Sequence, residues 1–350
     1  MNKRQIAGTA LLLIMGGIGW YHRTSPSTAS DKSIQAAYLR EDGQVHGTTY
    51  HIVYESADSK SLQDQYEEEF KRFDLSVSAF NDSSIISRIN RNDTAVKTDY
   101  YFNTVFNTAV KVSEKTEGAF DMTVAPLVNA WGFGFKHNEA VNDSTIKELL
   151  KHTGYQKISL VENHIVKSDT SVMLDASAIA KGYSSDLVAQ LLEKHGVKNY
   201  MVEIGGECVV KGCNDKGKKW RLGITKPVDD SLNRQEELQT IIELDHGGIA
   251  TSGNYRRFYY KDGKKYAHTI DPKTGYPAQH NLLSATIYGP TCIEADAYAT
   301  ACMVMGLEKA VKLVESIPEL EGYFIYSKPD GTYGTVYTDG FEKLIAKTQQ

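Results

Sequence analysis

The chain contains little cysteine and no arrangement of it that suits zinc. Its 350 residues include 4 cysteines, namely Cys208, Cys213, Cys292 and Cys302. They form no Cys-x-x-Cys pair and have no histidine partners at zinc-site spacing, so a zinc site is not expected. On one helix Cys292 and Cys302 would lie about 15 Å apart along the axis, too far for a disulfide. The cysteines are therefore predicted to be small core residues.

A long basic run is also missing. The sequence has 39 Lys and Arg against 44 Asp and Glu, which gives a net charge of −5. The basic footprint of a nucleic-acid-binding protein is absent, so DNA and RNA are excluded as expected partners. The composition is 41% hydrophobic and 24% charged, which argues against disorder and provides material for a substantial core.

The N-terminus carries an apolar run that falls short of a typical membrane span. This run, from Ile6 to Tyr21, has about 16 residues, whereas a spanning helix prefers roughly 20. Basic residues flank it on both sides: Lys3 and Arg4 before it, His22 and Arg23 after it. The pattern predicts export, through a cleaved signal or a retained anchor, with a buried N-terminal helix as the alternative.

This segment sets the expected domain organisation. Residues 1–33 are predicted to form the signal or anchor and a Ser/Thr-rich linker, and residues 34–350 a single compound domain. No cysteine follows the apolar run, so attachment of a lipid there is excluded. The sequence shows no internal repeat with a period of 20 to 50 residues, which argues against a solenoid.

Hydrophobic periodicity indicates both strands and helices. Alternation predicts strands, and helical spacing of apolar residues predicts helices. The predicted strands are Thr48–Tyr54, Lys157–Val161, Met173–Leu174, Tyr200–Ile204, Trp220–Ile224 and Leu283–Ile287; the predicted helices include Leu62–Phe73, Phe102–Ser113 and Ile179–Leu191, the last ended by Gly196. Hairpins occur beside helical crossovers, so a mixed α+β (α/β) fold is expected rather than a doubly wound sheet.

Asp262-Gly263 is a strong hairpin signal in the last third of the chain. It predicts that residues 255–260 and 265–270 are antiparallel partners, with His268 and Ile270 on one face of the second strand. His268 is a candidate general base, because histidine titrates near neutral pH. A lone histidine is more often structural, and the chain has 10.

Two helical segments suggest phosphate chemistry. Asp296 and Thr300 lie four residues apart, so both oxygens would face one side and could bind Mg²⁺, although solvation or capping uses the same spacing. The segment from Asp175 to Gly182 opens a helix with an acid of the capping type, small residues and Lys181. Free N–H groups there would bind phosphate by donating hydrogen bonds to its oxygens. The alternative is a plain helix cap with a solvated lysine. The spacing is not that of a P-loop.

Taken in order, several motifs resemble the FAD:protein FMN transferase family, also called the ApbE family. The resemblance spans about residues 38–345. The matching motifs are His46-Gly47-Thr48, Ser78-Ala79-Phe80, Ser87-Arg88-Ile89-Asn90, Gly118-Ala119-Phe120-Asp121, Pro126-Leu127-Val128, Trp131-Gly132-Phe133-Gly134, the segment from Asp175 to Gly182, Gly205-Gly206-Glu207, Ala250-Thr251-Ser252-Gly253, the segment from His268 to Pro277, and the segment from Glu294 to Thr300.

The resemblance implies a fold and a reaction. The fold would be built on a T-fold-like α/β core. The reaction would be Mg²⁺-dependent cleavage of FAD, with transfer of FMN to a Thr or Ser hydroxyl of a target protein as a phosphodiester and release of AMP. The metal ligands would be the Ala178 carbonyl oxygen, Asp296 and Thr300. FAD would contact His46, Phe80, Ala119, Phe120, Asp121, Asp175, Lys181 and Ile270.

The resemblance also assigns roles within the site. His268 would accept the proton of the acceptor hydroxyl, and Lys181 would neutralise phosphate charge. Asp121 would hydrogen-bond the flavin or the ribose rather than act as a base. The family commonly has Met where this chain has His46, so that contact is expected to be altered or made through the backbone.

The acceptor and the location follow from the resemblance as expectations. The family's acceptor pattern, an acid upstream of Ser/Thr-Gly-Ala-Ser/Thr, is absent here, so the acceptor should be another protein. An exported subunit of a membrane redox complex is the candidate, with this chain on the periplasmic side of the inner membrane. Two other functions remain open: an FAD pyrophosphatase that uses water as acceptor, and an FAD-binding protein without turnover.

Overall fold

An eight-stranded antiparallel sheet forms the centre of the fold. The computed structural model describes residues 37–135, 141–227, 237–254, 258–261 and 264–347. Within these ranges no helix is both long and apolar enough to cross a membrane. The apolar run from Ile6 to Tyr21 and the predicted turn at Asp262-Gly263 lie outside the described residues.

The strands and helices alternate irregularly along the chain. The strands are β1 (Ala37–Val45), β2 (Thr48–Ser56), β3 (Ile158–Val161), β4 (His164–Lys167), β5 (Tyr200–Ile204), β6 (Glu207–Lys211), β7 (Trp220–Thr225), β8 (Leu238–Leu244), β9 (His246–Gly253), β10 (Phe258–Lys261), β11 (Lys264–Ala267), β12 (Leu282–Gly289), β13 (Glu321–Ser327) and β14 (Tyr333–Tyr337). The helices are α1 (Gln63–Val77), α2 (Ile85–Asn90), α3 (Tyr100–Lys115), α4 (Ala125–Ala130), α5 (Asp143–Leu150), α6 (Ala180–Lys194), α7 (Cys292–Met305), α8 (Leu307–Glu315) and α9 (Asp339–Glu342).

The main sheet has the order β1-β2-β5-β6-β9-β12-β13-β14, and the remaining described strands form three separate hairpins. Every neighbouring pair in the main sheet is antiparallel. Sheet, hairpins and helices together confirm the predicted mixed α/β class. The pairing of β10 with β11 confirms the predicted hairpin in its described part.

Strand β2 alternates in the sequence because one of its faces is buried, whereas Thr49 and His51 on the other face are exposed. Tyr50, Ile52 and Tyr54 of β2 pack under α1 and α6. Val53, which points the other way, packs with the β7–β8 hairpin and with Phe341 of α9. Because successive residues of a strand face opposite sides, one strand contributes to both cores.

Helix α7 is buried on nearly all sides. Ala295, Ala297, Ala299 and Ala301 have no exposed surface. A helix that is apolar all round belongs in the interior, and small residues let its neighbours approach closely. At Gly248 of β9, for example, an added Cβ would lie 2.4 Å from the Cys292 backbone nitrogen. The polar residues of α7 are therefore held in a tightly packed setting.

Three local predictions were wrong. Met173–Leu174 forms only an isolated bridge with Val124, because the amide and carbonyl of Leu174 bond to the Asn90 side chain instead of to a strand. Helix α6 begins at Ala180, so Asp175 does not cap it. Cys213 is only partly buried, unlike the other three cysteines.

The strand that was predicted to include His268 ends before this residue. β11 ends at Ala267, and His268 lies at a bend. Ile270 bridges Pro277 of its own following turn, and the backbone of Thr269 accepts from Ala278. These local bonds replace strand pairing, so His268 and Ile270 do not share a strand face.

Candidate active site

Asp296 is a buried carboxylate at the contact between α6 and α7. Its Oδ2 accepts a hydrogen bond of 3.0 Å from the backbone amide of Gly182. Burial raises the pKa of Asp296, while the Lys181 ammonium and the Gly182 amide act in the opposite direction. A side chain at Gly182 would not fit, because its Cβ would lie 2.3 Å from the Cys292 carbonyl oxygen. The glycine thus lets a backbone donor reach the carboxylate.

Thr300 lies one helical turn beyond Asp296, as the sequence predicted. Its hydroxyl is 3.2 Å from the hydroxyl of Ser252 on β9. Ala178 precedes the start of α6 by two residues and is partly buried. The hydrogen bond from Gly182 to Asp296 joins the beginning of α6 to the face of α7 that carries Thr300. Ala178 lies near this beginning of α6.

Lys181 and Glu207 form an ion pair beside Asp296. Lys181 Nζ is 2.5 Å from Glu207 Oε1, and the Glu207 side chain is only 3% exposed. Within the described ranges, Glu207 Oε2 has no hydrogen-bond partner. Burial raises the pKa of Glu207 against the pull of Lys181, and Asp296 raises it further. The cluster contains two carboxylates and one ammonium group.

Lys181 is not a freely solvated lysine. Burial would lower its pKa, but the carboxylates of Glu207 and Asp296 outweigh this effect and raise the pKa, so the ammonium form is stabilised. Gly205, in the turn between β5 and β6, leaves room for its stem: an added Cβ there would lie 3.3 Å from Lys181 Cδ and 2.7 Å from Thr48 Cγ2. The Gly-Gly turn thus accommodates the lysine.

His46 is held by protein contacts on both ring nitrogens. It lies in the turn between β1 and β2 with a φ of 50°. Its Nδ1 is 2.9 Å from Asp74 Oδ1, and its Nε2 is 2.9 Å from the Ser184 hydroxyl. The histidine therefore links α1 to α6, and its contact with FAD stays a prediction.

The residues of the Ala119–Asp121 segment are buried. Asp121 Oδ1 accepts from the amide and hydroxyl of Thr123, and its Oδ2 accepts from the amide of Tyr155. Burial raises the pKa of Asp121, although these hydrogen bonds oppose the change. Asp121 therefore organises the loop itself, and its predicted contact with flavin or ribose stays a prediction.

Phe80 and Asp175 lie in loops before α2 and α6. Phe80 is 68% exposed, and its ring meets Phe135 edge to face at 6.1 Å between centroids. An exposed aromatic ring supported by a partly buried one suits a planar ligand such as a flavin. Asp175 Oδ1 accepts from the amide and hydroxyl of Ser177, which shapes the loop that leads to Ala178.

An aromatic stack that the sequence analysis missed anchors the hairpin before His268. The rings of Trp131, Tyr266, Tyr259 and Phe133 are stacked in succession, with centroid distances of 5.4, 5.5 and 5.3 Å. Phe133 also meets the His268 ring edge to face at 6.4 Å. The stack joins the β10–β11 hairpin to the segment after α4.

The turn after His268 is fixed to the same region. Trp131 Nε1 donates to the Gly275 carbonyl at 2.8 Å. Ile270 is buried and packs with Leu127 and Ile146 of α4 and α5. His268 is thus bracketed by two anchored segments. A direct contact of Ile270 with FAD stays a prediction.

Metal ligands of the usual clustered kind are not found among the residues that the structure describes. In the part of the chain that the structure describes, no group of three or more His, Cys, Asp or Glu side chains could hold a metal ion. An ion at Asp296 would therefore need oxygen from hydroxyl, carbonyl or water groups. Mg²⁺ accepts such ligands.

The chain folds as a mixed α/β protein in which Lys181 of α6 lies beside two buried acids, Glu207 of β6 and Asp296 of α7. The model of the ApbE family matches residues 46–324, and the chain belongs to that family. The resemblance drawn from the sequence motifs is confirmed.

Relatives named FAD:protein FMN transferase match most of the chain. The relative from Vibrio cholerae is 37% identical over 324 residues, covering 89% of this chain and 94% of its own. The relative from Haemophilus influenzae is 36% identical and covers 86% of this chain and 90% of its own. The relative from Escherichia coli K12 is 32% identical and covers 91% of this chain and 92% of its own.

Solved structures agree with the fold. The flavin transferase ApbE from Vibrio cholerae has a TM-score of 0.79 at 34% identity and covers 88% of this chain and 99% of its own. The apo form of the Pseudomonas stutzeri flavinyl transferase ApbE has a TM-score of 0.78 at 30% identity, covering 88% and 97%. The predicted ApbE-type fold is confirmed.

Proposed function

We propose that this chain is an FAD:protein FMN transferase. It cleaves the diphosphate of FAD, attaches FMN through a phosphodiester to a Thr or Ser hydroxyl of a target protein, and releases AMP. The three relatives above carry this name and are matched over 90% or more of their own length. The structural observation that supports the proposal is the buried cluster of Lys181, Glu207 and Asp296.

The cluster fits a hard divalent cation. Two buried acids with raised pKa face one ammonium group, and one oxygen of Glu207 lacks a hydrogen-bond partner among the described residues. Ionising both acids at this depth is costly, and a bound cation would offset that cost. The residues that would hold Mg²⁺ are Asp296, Thr300 and the carbonyl oxygen of Ala178. When bound, Mg²⁺ would offset the charge of the diphosphate.

The remaining residues bind and orient the two substrates. Lys181 contacts phosphate oxygens, and Phe80 lies against the flavin. FAD also contacts His46, Ala119, Phe120, Asp121, Asp175 and Ile270. Because phosphoryl transfer depends on position and charge more than on covalent chemistry, a site built from buried, hydrogen-bonded segments suits it.

His268 is the proton acceptor. The oxygen of the acceptor hydroxyl forms a bond to the FMN phosphorus while the bond from that phosphorus to the AMP oxygen breaks. The hydroxyl proton goes to His268, and AMP keeps the electron pair. The Phe133 ring and the anchored turn after His268 would orient the imidazole for this step.

The experiment is a transfer assay with the purified full-length chain, FAD, Mg²⁺ and an acceptor domain that carries the Thr/Ser motif. We expect AMP release and a covalently fluorescent acceptor whose mass has increased by one FMN. An acceptor with valine at the modified threonine is the control. An unlabelled acceptor under saturating FAD contradicts the proposal.

The two alternatives predict different products. An FAD pyrophosphatase gives AMP and free FMN without acceptor. An FAD-binding protein retains FAD stoichiometrically and gives no AMP. The presence of both a lysine–carboxylate cluster and a candidate base in the chain favours turnover, because binding alone requires neither.

The acceptor is a subunit of a membrane redox complex, and this chain works on the periplasmic side of the inner membrane. The apolar run from Ile6 to Tyr21 supports export. Fractionation of cells that express the full chain, with a variant lacking residues 1–33 as control, tests the location. Recovery of the full chain in the cytoplasmic fraction contradicts it.

A further inference from the structure

Asp186 is a second buried carboxylate of α6 and faces the first turn of α7. Its Oδ1 accepts from the Cys292 amide at 3.0 Å, and its Oδ2 accepts from the Ile293 amide at 2.8 Å. Neither the sequence motifs nor the proposed chemistry gives this residue a role. Its two hydrogen bonds go to the helix that carries Asp296.

The first turn of α7 needs such a partner. The first amides of a helix have no acceptor within the helix. Thr291, which precedes α7, provides no side-chain hydrogen bond. Cys292 and Ile293 are 0% and 5% exposed, so bulk water has little access to them. Asp186 therefore caps α7 from another helix, with one carboxyl oxygen for each of these two amides.

A second contact lies one turn away on each helix. Gly182 precedes Asp186 by one turn of α6, and it donates to Asp296, one turn beyond Cys292 and Ile293 on α7. The order of the contacts shows that the helices run antiparallel here. Two contacts one turn apart fix how far α7 can slide along α6 and how it is rotated.

We propose that Asp186 is a positioning residue for the metal-binding face of α7. This inference rests on the proposed function, because it concerns the Mg²⁺ site at Asp296 and Thr300. By holding the start of α7 against α6, Asp186 sets the position of those two oxygens relative to the Ala178 carbonyl. It touches neither substrate nor metal.

The test compares Asp186→Asn with the wild type. Asparagine keeps the size of the side chain and one acceptor oxygen, but its NH₂ group would face one of the two helix amides. We expect Mg²⁺ affinity to fall by about tenfold, as is typical when a partner behind a metal ligand is lost. Titration calorimetry without FAD measures this affinity, and the transfer assay gives the Mg²⁺ half-saturation and kcat separately. The Mg²⁺ concentration at half-saturation should rise strongly, whereas kcat at saturating Mg²⁺ should change little.

Asp99→Asn is the matched control. Asp99 caps α3 by accepting from the Phe102 amide, and it also accepts from the Ser76 hydroxyl. These partners are not on α6 or α7. The control should lose thermal stability without a change in Mg²⁺ affinity. Asp186→Glu is a second variant: it keeps the charge but should push the helices apart and also weaken Mg²⁺ binding.

The outcomes separate the inference from the proposed function. A wild type that transfers no FMN contradicts the function, while calorimetry still decides the inference. The inference is overturned if Asp186→Asn binds Mg²⁺ like the wild type or loses no more affinity than Asp99→Asn. It is also overturned if the wild type binds no Mg²⁺, or if neither Asp186 variant folds, since Asp186 would then be required for folding.

Discussion

The backbone amide of Gly182 and the carboxylate of Asp296 lie 3.0 Å apart and join the first turn of α6 to the middle of α7. The contact brings Lys181, the neighbour of Gly182, beside the same carboxylate. A backbone donor and a lysine from one helix turn thus share a buried acid of another helix. The geometry depends on the absence of a side chain at position 182.

Gly182→Ala should disturb this contact directly. The new Cβ would lie 2.3 Å from the Cys292 carbonyl oxygen and 2.8 Å from Asp296 Cβ, so the helices must separate. Overpacking of this kind costs about 1–3 kcal/mol. Urea unfolding should show that loss, and the Mg²⁺ half-saturation of transfer should rise. In the control Gly196→Ala an added Cβ meets nothing within 4 Å, but the φ of 77° strains any other residue, so stability should also fall while the Mg²⁺ dependence stays unchanged.

Asp296→Asn should raise the Mg²⁺ requirement of transfer steeply. Asparagine can still accept from Gly182, so the fold is retained, but a neutral amide is a weaker ligand for a hard cation. We expect a shift of about tenfold or more in half-saturation. Glu294→Gln, two residues earlier in α7, removes an acid that pairs with Lys111 instead. An unchanged metal dependence in Asp296→Asn would remove Asp296 from the ligand set.

The effects of substituting Lys181 and Glu207 on the free energy of unfolding should be strongly coupled. Lys181→Met leaves the buried Glu207 carboxylate without its ammonium partner, and breaking such a pair costs about 3–5 kcal/mol. The double variant Lys181→Met/Glu207→Gln removes both charges of the pair and should recover part of this free energy, since Asp296 still lacks the ammonium group beside it. It should not recover transfer, because the phosphate contact is lost. Urea unfolding of the wild type, the two single variants Lys181→Met and Glu207→Gln, and the double variant gives the coupling energy. Losses of the single variants that add up in the double variant would contradict the coupling.

His268→Gln should separate chemistry from binding. Loss of the proton acceptor should lower the rate of transfer by about 10²–10⁴-fold. FAD affinity, measured by fluorescence quenching, should stay close to that of the wild type, since the buried cluster and the aromatic residues are intact. His246→Gln changes a histidine whose side chain is 76% exposed and is the control. Transfer near the wild-type rate would show that another group takes the proton.

The fold could be predicted where a strand or helix has one buried and one exposed side. β2 alternates because helices cover one side of the sheet, whereas Thr49 and His51 on the other side are exposed. Met173–Leu174 could not be assigned, because its backbone partner is the side chain of Asn90, 84 residues away in sequence. Propensity does not encode such a distant contact.

The candidate site was predictable in part. The spacing of Asp296 and Thr300 and the position of Lys181 near a helix start are visible in sequence. The roles of Glu207 and Asp186 depend on how α6 packs against α7 and β6, which spacing does not reveal. A signal was present for Asp186, because this acid lies between buried Tyr183 and Leu187 on the apolar side of a helix.

The stability of the protein should depend on pH through Asp186. Burial raises the pKa of this carboxyl to about 7, and Glu294 and Asp296 add to the effect, while the amides of Cys292 and Ile293 oppose it. The folded state therefore binds the proton more tightly than the unfolded chain, in which the pKa of Asp is about 3.9.

The free energy of unfolding should consequently fall as pH rises from about 4 to about 7, with a contribution of up to about 1.4 kcal/mol per pH unit from this group. Asp186→Asn cannot titrate and should lack that contribution. Urea unfolding at intervals between pH 5 and pH 8 measures both slopes, with Asp99→Asn as the reference for loss of a helix cap. Parallel curves for the wild type and Asp186→Asn would mean that the carboxyl stays ionised throughout, stabilised by the N-terminus of α7.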